Sequence, residues 1–399
     1  MVNLETIKQA GKRIEGVVVK TPLAKAPYLS ELTSANVFLK KENLQITGAF
    51  KIRGAYNKIA SLSDAERAKG VIAASAGNHA QGVALSASRF GIKAVIVMPE
   101  STPLTKVNGV KHYGAEVVLF GSNYDEAYGY AIDYAQKNDL TFVHPFEDED
   151  VIAGQGTVGL EILDNCDSLD AVIVPIGGGG LIAGIAAAVK ALSPKTRVIG
   201  VSASGAPAFK NSFELKRAVD TTKVRTIADG IAVRDTSKIT LEYALQYVDE
   251  VLSVDDEEIA SAILYLLEKQ KLVVEGAGAV GIAALLHNKV ENIKDKNVAV
   301  VLSGGNMDVT LLSVIIEKGL IKSHRKMNLT VTLVDKPGSL MRFTEILRDL
   351  NANIVHIAYD RTSVSLDYGD ANVTVHIETK GKEHQDEIYD ALKSEGYIR

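Results

Sequence analysis

Short apolar runs alternate with longer helix-like segments along most of this chain, and this alternation limits the possible folds more than any other feature. The candidate strands lie at 70–74, 94–98, 116–120, 171–176, 198–201 and 298–302. Helix-length segments between them include 79–90, 123–137, 181–192 and 256–269. Apolar strands separated by helices are typical of parallel sheets that are covered on both faces. The sequence therefore predicts an α/β fold with parallel, twisted sheets.

The same pattern predicts two lobes within residues 1–320. The first three strands and their helices form a small lobe at about residues 42–146, and the remainder, with the N-terminal helix, forms the second lobe. Because ligands of parallel sheets bind beyond the carboxyl ends of the strands, we expect the active site in the cleft between the lobes.

The pattern changes after residue 320, where a short polar and basic segment, 321–326, predicts a linker. From there the order becomes strand, helix, strand, strand, helix, which predicts a separate domain at 327–399. A small ferredoxin-like βαββαβ domain is the natural fold for this order, although little chain follows Gly396 for a last strand.

Composition excludes several classes of partner. The net charge of -5 and the lack of a basic patch argue against a nucleic-acid partner. No apolar run reaches the ~20 residues that span a membrane, and the single cysteine, Cys166, suits a reducing cytosol. The scattered histidines lack metal-ligand spacing. We therefore expect a cytoplasmic protein without a bound metal or membrane partner.

Lys51 is the first candidate for chemistry, because it lies between apolar residues where a glycine-containing loop enters a helix. Desolvation and the positive end of the helix both disfavour the ammonium form of such a lysine. A lysine with a lowered pKa can form a Schiff base with a carbonyl compound, such as pyridoxal phosphate. The alternative is an ordinary lysine whose stem covers an amphipathic helix.

Four consecutive glycines, Gly177 to Gly180, follow the strand at 171–176 and open a helix. Backbone N–H groups in such a turn can surround a phosphate, and the helix N-terminus favours an anion. The alternative is a tight turn that needs glycine for steric reasons alone. A dinucleotide fingerprint fits only loosely, because the strand at 198–201 is not followed by the acidic residue that would hold a ribose.

Two further polar segments follow predicted strands. The segment Ser75-Ala76-Gly77-Asn78-His79 begins a helix and can form a carboxylate pocket, or else an ordinary helix cap with a satisfied histidine. The segment Ser303-Gly304-Gly305-Asn306 closes the strand at 298–302. Both segments are expected at the carboxyl edge of a sheet, where a ligand binds.

Together, these four segments resemble those of the threonine ammonia-lyases (threonine dehydratases), pyridoxal-phosphate enzymes of the fold-type II, tryptophan-synthase-β-like class. The resemblance extends from Met1 to about Ile321. It includes Thr21-Pro22-Leu23, Val151-Ile152-Ala153-Gly154-Gln155-Gly156-Thr157, Ala228-Asp229-Gly230 and Glu275-Gly276-Ala277-Gly278-Ala279. From Met327 the chain resembles an ACT-type regulatory domain, best at Asp335-Lys336-Pro337-Gly338-Ser339-Leu340.

The resemblance implies a role for each candidate residue. Lys51 is the catalytic residue that holds pyridoxal 5′-phosphate, with Phe50 beside the ring. Asn78 bonds the 3′-oxygen of the cofactor, and Ser303 faces its pyridine nitrogen. The remaining assignments are the phosphate to Gly177, Gly178, Gly179, Gly180 and Leu181, the substrate carboxylate to Ser75, Ala76, Gly77, Asn78 and His79, and the substrate methyl group to Phe146.

The activity that the resemblance implies is conversion of L-threonine to 2-oxobutanoate and ammonia, with L-serine converted more slowly to pyruvate. The alternatives are an L-serine dehydratase or racemase, a 3-hydroxyaspartate ammonia-lyase and a non-catalytic amino-acid sensor. Related serine racemases carry a second serine where this chain has Ala76, and a metal-binding acidic pair where it has Ser202 and Ala208.

An ACT-like domain implies an amino-acid effector, isoleucine or valine, and hence feedback control of isoleucine biosynthesis. The candidate effector residues are Asp335, Pro337, Gly338 and Ser339. The alternative is a dimerisation module without a ligand. A homodimer or homotetramer is expected in either case.

Overall fold

Two compact units make up the protein, Met1–Asp308 and Val309–Arg399. The computed structural model describes residues 1–398. The sequence-based bounds, 1–320, 321–326 and 327–399, stay a prediction. In the structure, residues 309–322 form a helix that contacts the first strand of the second unit, so this segment is grouped with that unit.

The first unit is built from helices and strands in alternation. Its helices are α1 (Leu4–Ile14), α2 (Pro27–Thr33), α3 (Lys51–Ser61), α4 (Asp64–Lys69), α5 (Asn78–Phe90), α6 (Leu104–His112), α7 (Tyr124–Asn138), α8 (Glu149–Asp164), α9 (Gly180–Leu192), α10 (Ala208–Leu215), α11 (Lys238–Tyr247), α12 (Asp256–Tyr265) and α13 (Gly276–Leu286). Its strands are β1 (Leu23–Lys25), β2 (Asn36–Lys40), β3 (Val71–Ala74), β4 (Ala94–Met98), β5 (Glu116–Leu119), β6 (Thr141–Phe142), β7 (Ala171–Pro175), β8 (Arg197–Ala203), β9 (Glu250–Val254) and β10 (Asn297–Val301).

These strands form two sheets, one in each lobe. The larger sheet has the order β1-β2-β10-β7-β8-β9, and all its neighbours are parallel except β1 and β2. The smaller sheet has the order β5-β4-β3-β6 and is parallel throughout. The predicted α/β fold with parallel sheets is confirmed.

The strands that the sequence missed are short or carry charge. Strand β6 has two residues, which is too few for a visible apolar run, so the small lobe has a fourth strand that was not predicted. Strand β2 ends in Lys40, a residue that strands rarely bury. Strands β1 and β9 were missed as well, since both are only partly buried.

Helix α8 joins the two lobes, because it contacts α3 of the small lobe and α9 of the large one. Both contacts depend on glycines. A Cβ on Gly154 would lie 2.6 Å from the Arg53 carbonyl oxygen, and a Cβ on Gly184 would lie 2.5 Å from the Gly156 nitrogen. Side chains at these positions would push the helices apart and change the cleft between the lobes.

The second unit is a three-stranded antiparallel sheet with helices. Its elements are α14 (Val309–Lys322), β11 (Lys326–Val334), α15 (Ser339–Asp349), β12 (Asn353–Asp360), β13 (Asp370–Glu378) and α16 (Lys382–Ser394), and the sheet order is β11-β13-β12. From β11 this order is the predicted βαββα. Through residue 398 there is no further strand, so the sixth element of a complete βαββαβ domain is not seen in the described part of the chain.

A buried cluster of charges lies beneath the start of α3. The Arg53 guanidinium donates two hydrogen bonds of 2.8 Å to Glu42 and two, of 2.7 and 2.9 Å, to Glu161. The Lys40 ammonium pairs with Glu161 and donates to the Thr21 carbonyl oxygen at 2.6 Å. Burial alone would raise the pKa of Glu42, but the Arg53 guanidinium lowers it below its ordinary value. The cluster therefore brings two basic and two acidic side chains into contact, and their formal charges balance.

Removing the guanidinium should be severely destabilising. The Arg53→Leu variant would leave Glu42 and Glu161 without their main partner, which should cost about 3–5 kcal/mol of unfolding free energy. Urea unfolding followed by circular dichroism measures this loss. As a control, Lys93→Met removes an exposed 3.1 Å pair with Glu116 and should cost less than about 1 kcal/mol. Equal losses in the two variants would show that the buried cluster is not a special source of stability.

Candidate active site

A cavity of about 720 Å³ lies between the two lobes of the first unit. The segments that follow β3, β7 and β10 line it, as expected for ligands at the carboxyl ends of parallel strands. All the site residues that the sequence predicted in this unit line the cavity: Phe50, Lys51, Ser75, Ala76, Gly77, Asn78, His79, Phe146, Gly177, Gly178, Gly179, Gly180, Leu181 and Ser303. Their assigned roles stay predictions.

Lys51 begins helix α3 and lines the cavity with its half-buried side chain. Its ammonium nitrogen donates a 2.9 Å hydrogen bond to the Pro145 carbonyl oxygen and lies 5.3 Å from the centre of the Phe50 ring. Burial lowers the pKa of Lys51 to about 8, although the carboxyl of Glu275 opposes this shift. A substantial fraction of Lys51 is therefore a neutral amine near pH 8, which a nucleophile or a base requires.

The four glycines form the turn into helix α9. Gly179 has a φ of +85°, and a Cβ there would lie 2.5 Å from the Phe209 ring. A side chain on Gly178 would overlap Phe146. Steric crowding alone is therefore enough to require glycine in this turn. The anion-binding prediction depends instead on the helix: its first bond runs from the Ala183 N–H to the Gly179 carbonyl, so the preceding N–H groups have no partner inside the helix.

Helix α5 offers a second set of N–H groups. It begins at Asn78, directly after the segment Ser75 to Gly77, and Gly77 caps it without a side-chain hydrogen bond. The imidazole of His79 is buried, and its Nε2 bonds the Val143 carbonyl oxygen at 2.8 Å, so this nitrogen carries the proton. Burial lowers the pKa of His79 to about 3. The ring is therefore neutral, and only the backbone of His79 suits a carboxylate.

Ser303 and Phe146 both line the cavity. Ser303 is 3% exposed, and its carbonyl accepts the Phe50 N–H at 3.1 Å, which ties the end of β10 to the residue before Lys51. Phe146 lies against Gly178 and Gly180, and its ring is 4.8 Å from that of His144. Phe146 thus adds an apolar wall close to the glycine turn.

Residues to which the sequence gave no role complete the lining. Asn78 donates to the buried carboxyl of Glu275 at 2.7 Å and accepts from Asn306 at 2.7 Å. Burial raises the pKa of Glu275 to about 8, and the charge of Asp229 adds to this effect. Glu275 and Asn306 both belong to segments that carried the resemblance, but nothing in the sequence indicated that they meet at Asn78.

Two ion pairs cross the rim of the cavity. Lys106 pairs with Asp229 at 2.9 Å, and Arg234 pairs with Asp125 at 3.0 Å. Lys106 and Asp125 belong to α6 and α7 of the small lobe, whereas Asp229 and Arg234 belong to the loop that precedes α11. Each pair therefore joins the small lobe to the segment before α11 beside the cavity.

The residues around the cavity fit pyridoxal phosphate. They offer an amine with a lowered pKa at Lys51, free helix N–H groups for a phosphate after Gly179, an amide at Asn78 and a hydroxyl at Ser303. In residues 1–398 no three histidine, cysteine or acidic side chains gather to hold a metal ion. None of the helices described is long and apolar enough to cross a membrane.

The candidate effector residues lie in the second unit. Asp335 accepts a hydrogen bond from Tyr359 at 2.9 Å and pairs with Arg361 at 2.6 Å. Gly338 caps helix α15 with a φ of +91°, and Ser339 is the first residue of that helix. Pro337 lies in the loop between Asp335 and Gly338.

Comparison with known proteins agrees with this site. The family model described as pyridoxal-phosphate dependent enzyme matches residues 14–304. An L-threonine ammonia-lyase from Thermotoga maritima is 48% identical over 397 residues, covering 100% of this chain and 98% of that relative. The structure of threonine deaminase isoform 2 from Solanum lycopersicum matches with a TM-score of 0.76 and 39% identity, covering 79% of this chain and 86% of that one. The structure of maize serine racemase matches with a TM-score of 0.76 and 34% identity, covering 81% of this chain and 99% of that one.

The chain therefore belongs to the pyridoxal-phosphate dependent enzymes, and its cofactor is pyridoxal phosphate. Within that class it belongs to the family of the L-threonine ammonia-lyases, since the match to the Thermotoga maritima relative covers both units.

The pKa of Lys51 predicts how the apoprotein reacts with the cofactor. A lysine with a pKa near 8, instead of 10.5, gains its neutral amine as the pH rises through 8. The initial rate of Schiff-base formation with pyridoxal phosphate, measured by absorbance, should therefore rise with a midpoint near pH 8. Borohydride trapping followed by peptide mass analysis should place the adduct on Lys51, and Lys51→Arg should give none. A midpoint above pH 10 would contradict the lowered pKa.

Proposed function

We propose that this protein eliminates water from L-threonine and that the product is then hydrolysed to 2-oxobutanoate and ammonia. The observation that carries the proposal is the convergence of Lys51, Asn78, the glycine turn and Ser303 on one cavity. The family relationship supports the same reaction, because the Thermotoga maritima relative is named an L-threonine ammonia-lyase.

Lys51 both holds the cofactor and moves the proton in this mechanism. Pyridoxal phosphate, when bound, withdraws electrons from the α-carbon of the substrate and so makes its proton acidic. When its amine is not bonded to the cofactor, Lys51 would be able to accept the α-proton. Its burial favours the neutral form that a base requires.

The two helix N-termini hold the charged groups. The N–H groups at the start of α5, with Ser75 and Asn78, receive the substrate carboxylate, and those at the start of α9 receive the cofactor phosphate. Fixing both anions orients the α-proton toward Lys51. The hydroxyl of Ser303 can donate to an unprotonated pyridine nitrogen.

The reaction consists of an elimination of water followed by a hydrolysis, and the two steps together account for every atom. Threonine loses its α-proton and its β-hydroxyl, and the released enamine takes up water to give 2-oxobutanoate and ammonia. The ring of Phe146 provides an apolar surface for the threonine methyl group.

Racemisation is the less favoured alternative. The maize serine racemase has a similar fold, but Ala76 lines the cavity of this chain without a hydroxyl on its side chain. No second base is supplied at that position, so proton return to the opposite face of the substrate should be slow.

The proposal predicts 2-oxobutanoate release from L-threonine, measured by coupled reduction of the 2-oxo acid. Lys51→Ala should lower kcat by about 10²–10⁴-fold, because it removes the base. Lys58→Ala is a matched control on the same helix, where the lysine pairs with Asp148 at 2.7 Å outside the cavity, and it should retain most of the activity.

L-Serine tests the methyl pocket. It should react with a kcat/KM about 10–200-fold lower than that of threonine, the range that one methyl group provides in an apolar pocket. A higher kcat/KM for serine, or for 3-hydroxyaspartate, would move the proposal to one of the alternative lyases.

We also propose a regulatory role for the second unit. The antiparallel sheet and the glycine-capped start of α15 support an ACT-like module that binds isoleucine or valine at the loop from Asp335 to Ser339. A homo-oligomer, dimer or tetramer, and a cytoplasmic location belong to the same proposal, and the single cysteine supports the location.

Isoleucine titration tests this role. At subsaturating threonine, L-isoleucine should lower the rate of 2-oxobutanoate release, because it stabilises a less active state of the enzyme. D-Isoleucine, which has the same apolar surface, is the control and should have little effect. Turnover that is indifferent to L-isoleucine and L-valine would leave the second unit as an assembly module.

A further inference from the structure

We propose that Glu275 is a positioning residue that holds the Asn78 amide in the one orientation in which it offers an N–H to the ligand. The proposal rests on the proposed function only in that Asn78 is taken to contact the cofactor. Glu275 itself acts through Asn78.

The orientation of the amide follows from a chain of hydrogen bonds. The Asn306 Nδ2 atom lies 2.8 Å from the Thr47 carbonyl oxygen, which can only accept. This contact identifies the atom as the amide nitrogen. The same nitrogen lies 2.7 Å from the Asn78 side chain, whose atom at that contact must therefore be the oxygen. The Asn78 amide nitrogen then faces the opposite way, toward Glu275, at 2.7 Å.

This arrangement leaves one N–H of the Asn78 side-chain amide without an assigned partner. An asparagine amide has two N–H groups and one oxygen. Its oxygen accepts from Asn306 and one N–H is donated to Glu275, so the second N–H remains for a ligand. Asn78 lines the cavity, so it can recognise an acceptor atom there, such as the 3′-oxygen of pyridoxal phosphate.

Glu275 is held firmly enough to fix its partner. It is 5% exposed, it precedes helix α13 as the cap residue, and its N–H donates to the Gly304 carbonyl at 3.1 Å. A Cβ on Gly304 would lie 2.9 Å from the Glu275 carboxyl carbon, so only glycine leaves room for the carboxyl. The side chain therefore has little freedom to move away from Asn78.

The environment of Glu275 favours a neutral acid at pH 7. The ionisable groups around it are Asp229, Lys106 and Lys51, and burial is the largest influence on its pKa. A protonated carboxyl still accepts from Asn78 through its carbonyl oxygen. A neutral Glu275 would not repel an anionic oxygen bound by Asn78.

Two substitutions separate the acceptor oxygen from the rest of the side chain. Glu275→Gln keeps an oxygen that can accept from Asn78, whereas Glu275→Met keeps the length and removes the acceptor. Affinity of the apoprotein for pyridoxal phosphate and the absorption spectrum of the bound cofactor are the readouts. We expect the Gln variant to bind within about threefold of the parent, and the Met variant to bind about 10-fold more weakly with a shifted absorption maximum.

A double-mutant cycle tests whether Glu275 acts through Asn78. If it does, Glu275→Met should weaken binding no further, within about twofold, in a protein that already carries Asn78→Ala. Additive losses would overturn the proposal, because they would show an independent structural role. A Gln variant as weak as the Met variant would also overturn it, because the acceptor oxygen would then not be what matters.

The test remains decisive if Glu275→Met does not fold. Asn306→Ala removes the donor to the Asn78 oxygen at an exposed position, and its loss of affinity should likewise disappear in the Asn78→Ala background. Additivity there would overturn the proposal. A parent protein that shows the non-additive pattern but does not deaminate threonine would support the positioning role and refute the proposed function.

Discussion

The contact of the Arg53 guanidinium with two buried carboxylates is the interaction on which the position of Lys51 depends. Arg53 lies two residues beyond Lys51 on α3, and its partners Glu42 and Glu161 belong to the loop after β2 and to α8. One side chain therefore joins the helix that carries the reactive lysine to both lobes. Replacing it with an apolar residue leaves buried charges unpaired, and α3 then loses its fixed place at the cavity.

The cavity depends on this frame because no single element contains the site. The ends of β3, β7 and β10 supply Asn78, the glycine turn and Ser303, which come from different parts of the sequence and from two sheets. Helix α8 keeps the sheets at a fixed distance through close helix contacts. The hydrogen bonds that Asn78 donates to Glu275 and accepts from Asn306 then connect the lobes at the cavity itself.

Local chemistry explains which features the sequence predicted. Lys51 has apolar neighbours and begins a helix, a pattern that indicated a reactive lysine, and burial is the cause of its lowered pKa. The glycine turn was placed correctly because its strand and helix flank it directly. Short strands such as β6 were not predicted, because they contain too few residues to form an apolar run. The contact of Asn78 with Glu275 could not be predicted either, since it joins residues 197 positions apart. His79 is a neutral ring because the fold buries it, and its Nε2 bonds the carbonyl oxygen of Val143, a residue 64 positions away in the sequence.

The place of β10 in the larger sheet has a consequence for how the chain matures during synthesis. This strand is the last of its unit in sequence, yet it lies between β2 and β7 in the sheet. The edges of β2 and β7 that face β10 therefore stay unpaired until about residue 301 has left the ribosome. Before that point, two buried strand edges remain open in the growing chain. Open edges of this kind pair readily with other chains. Protection of the nascent protein should therefore matter most just before its catalytic unit is complete.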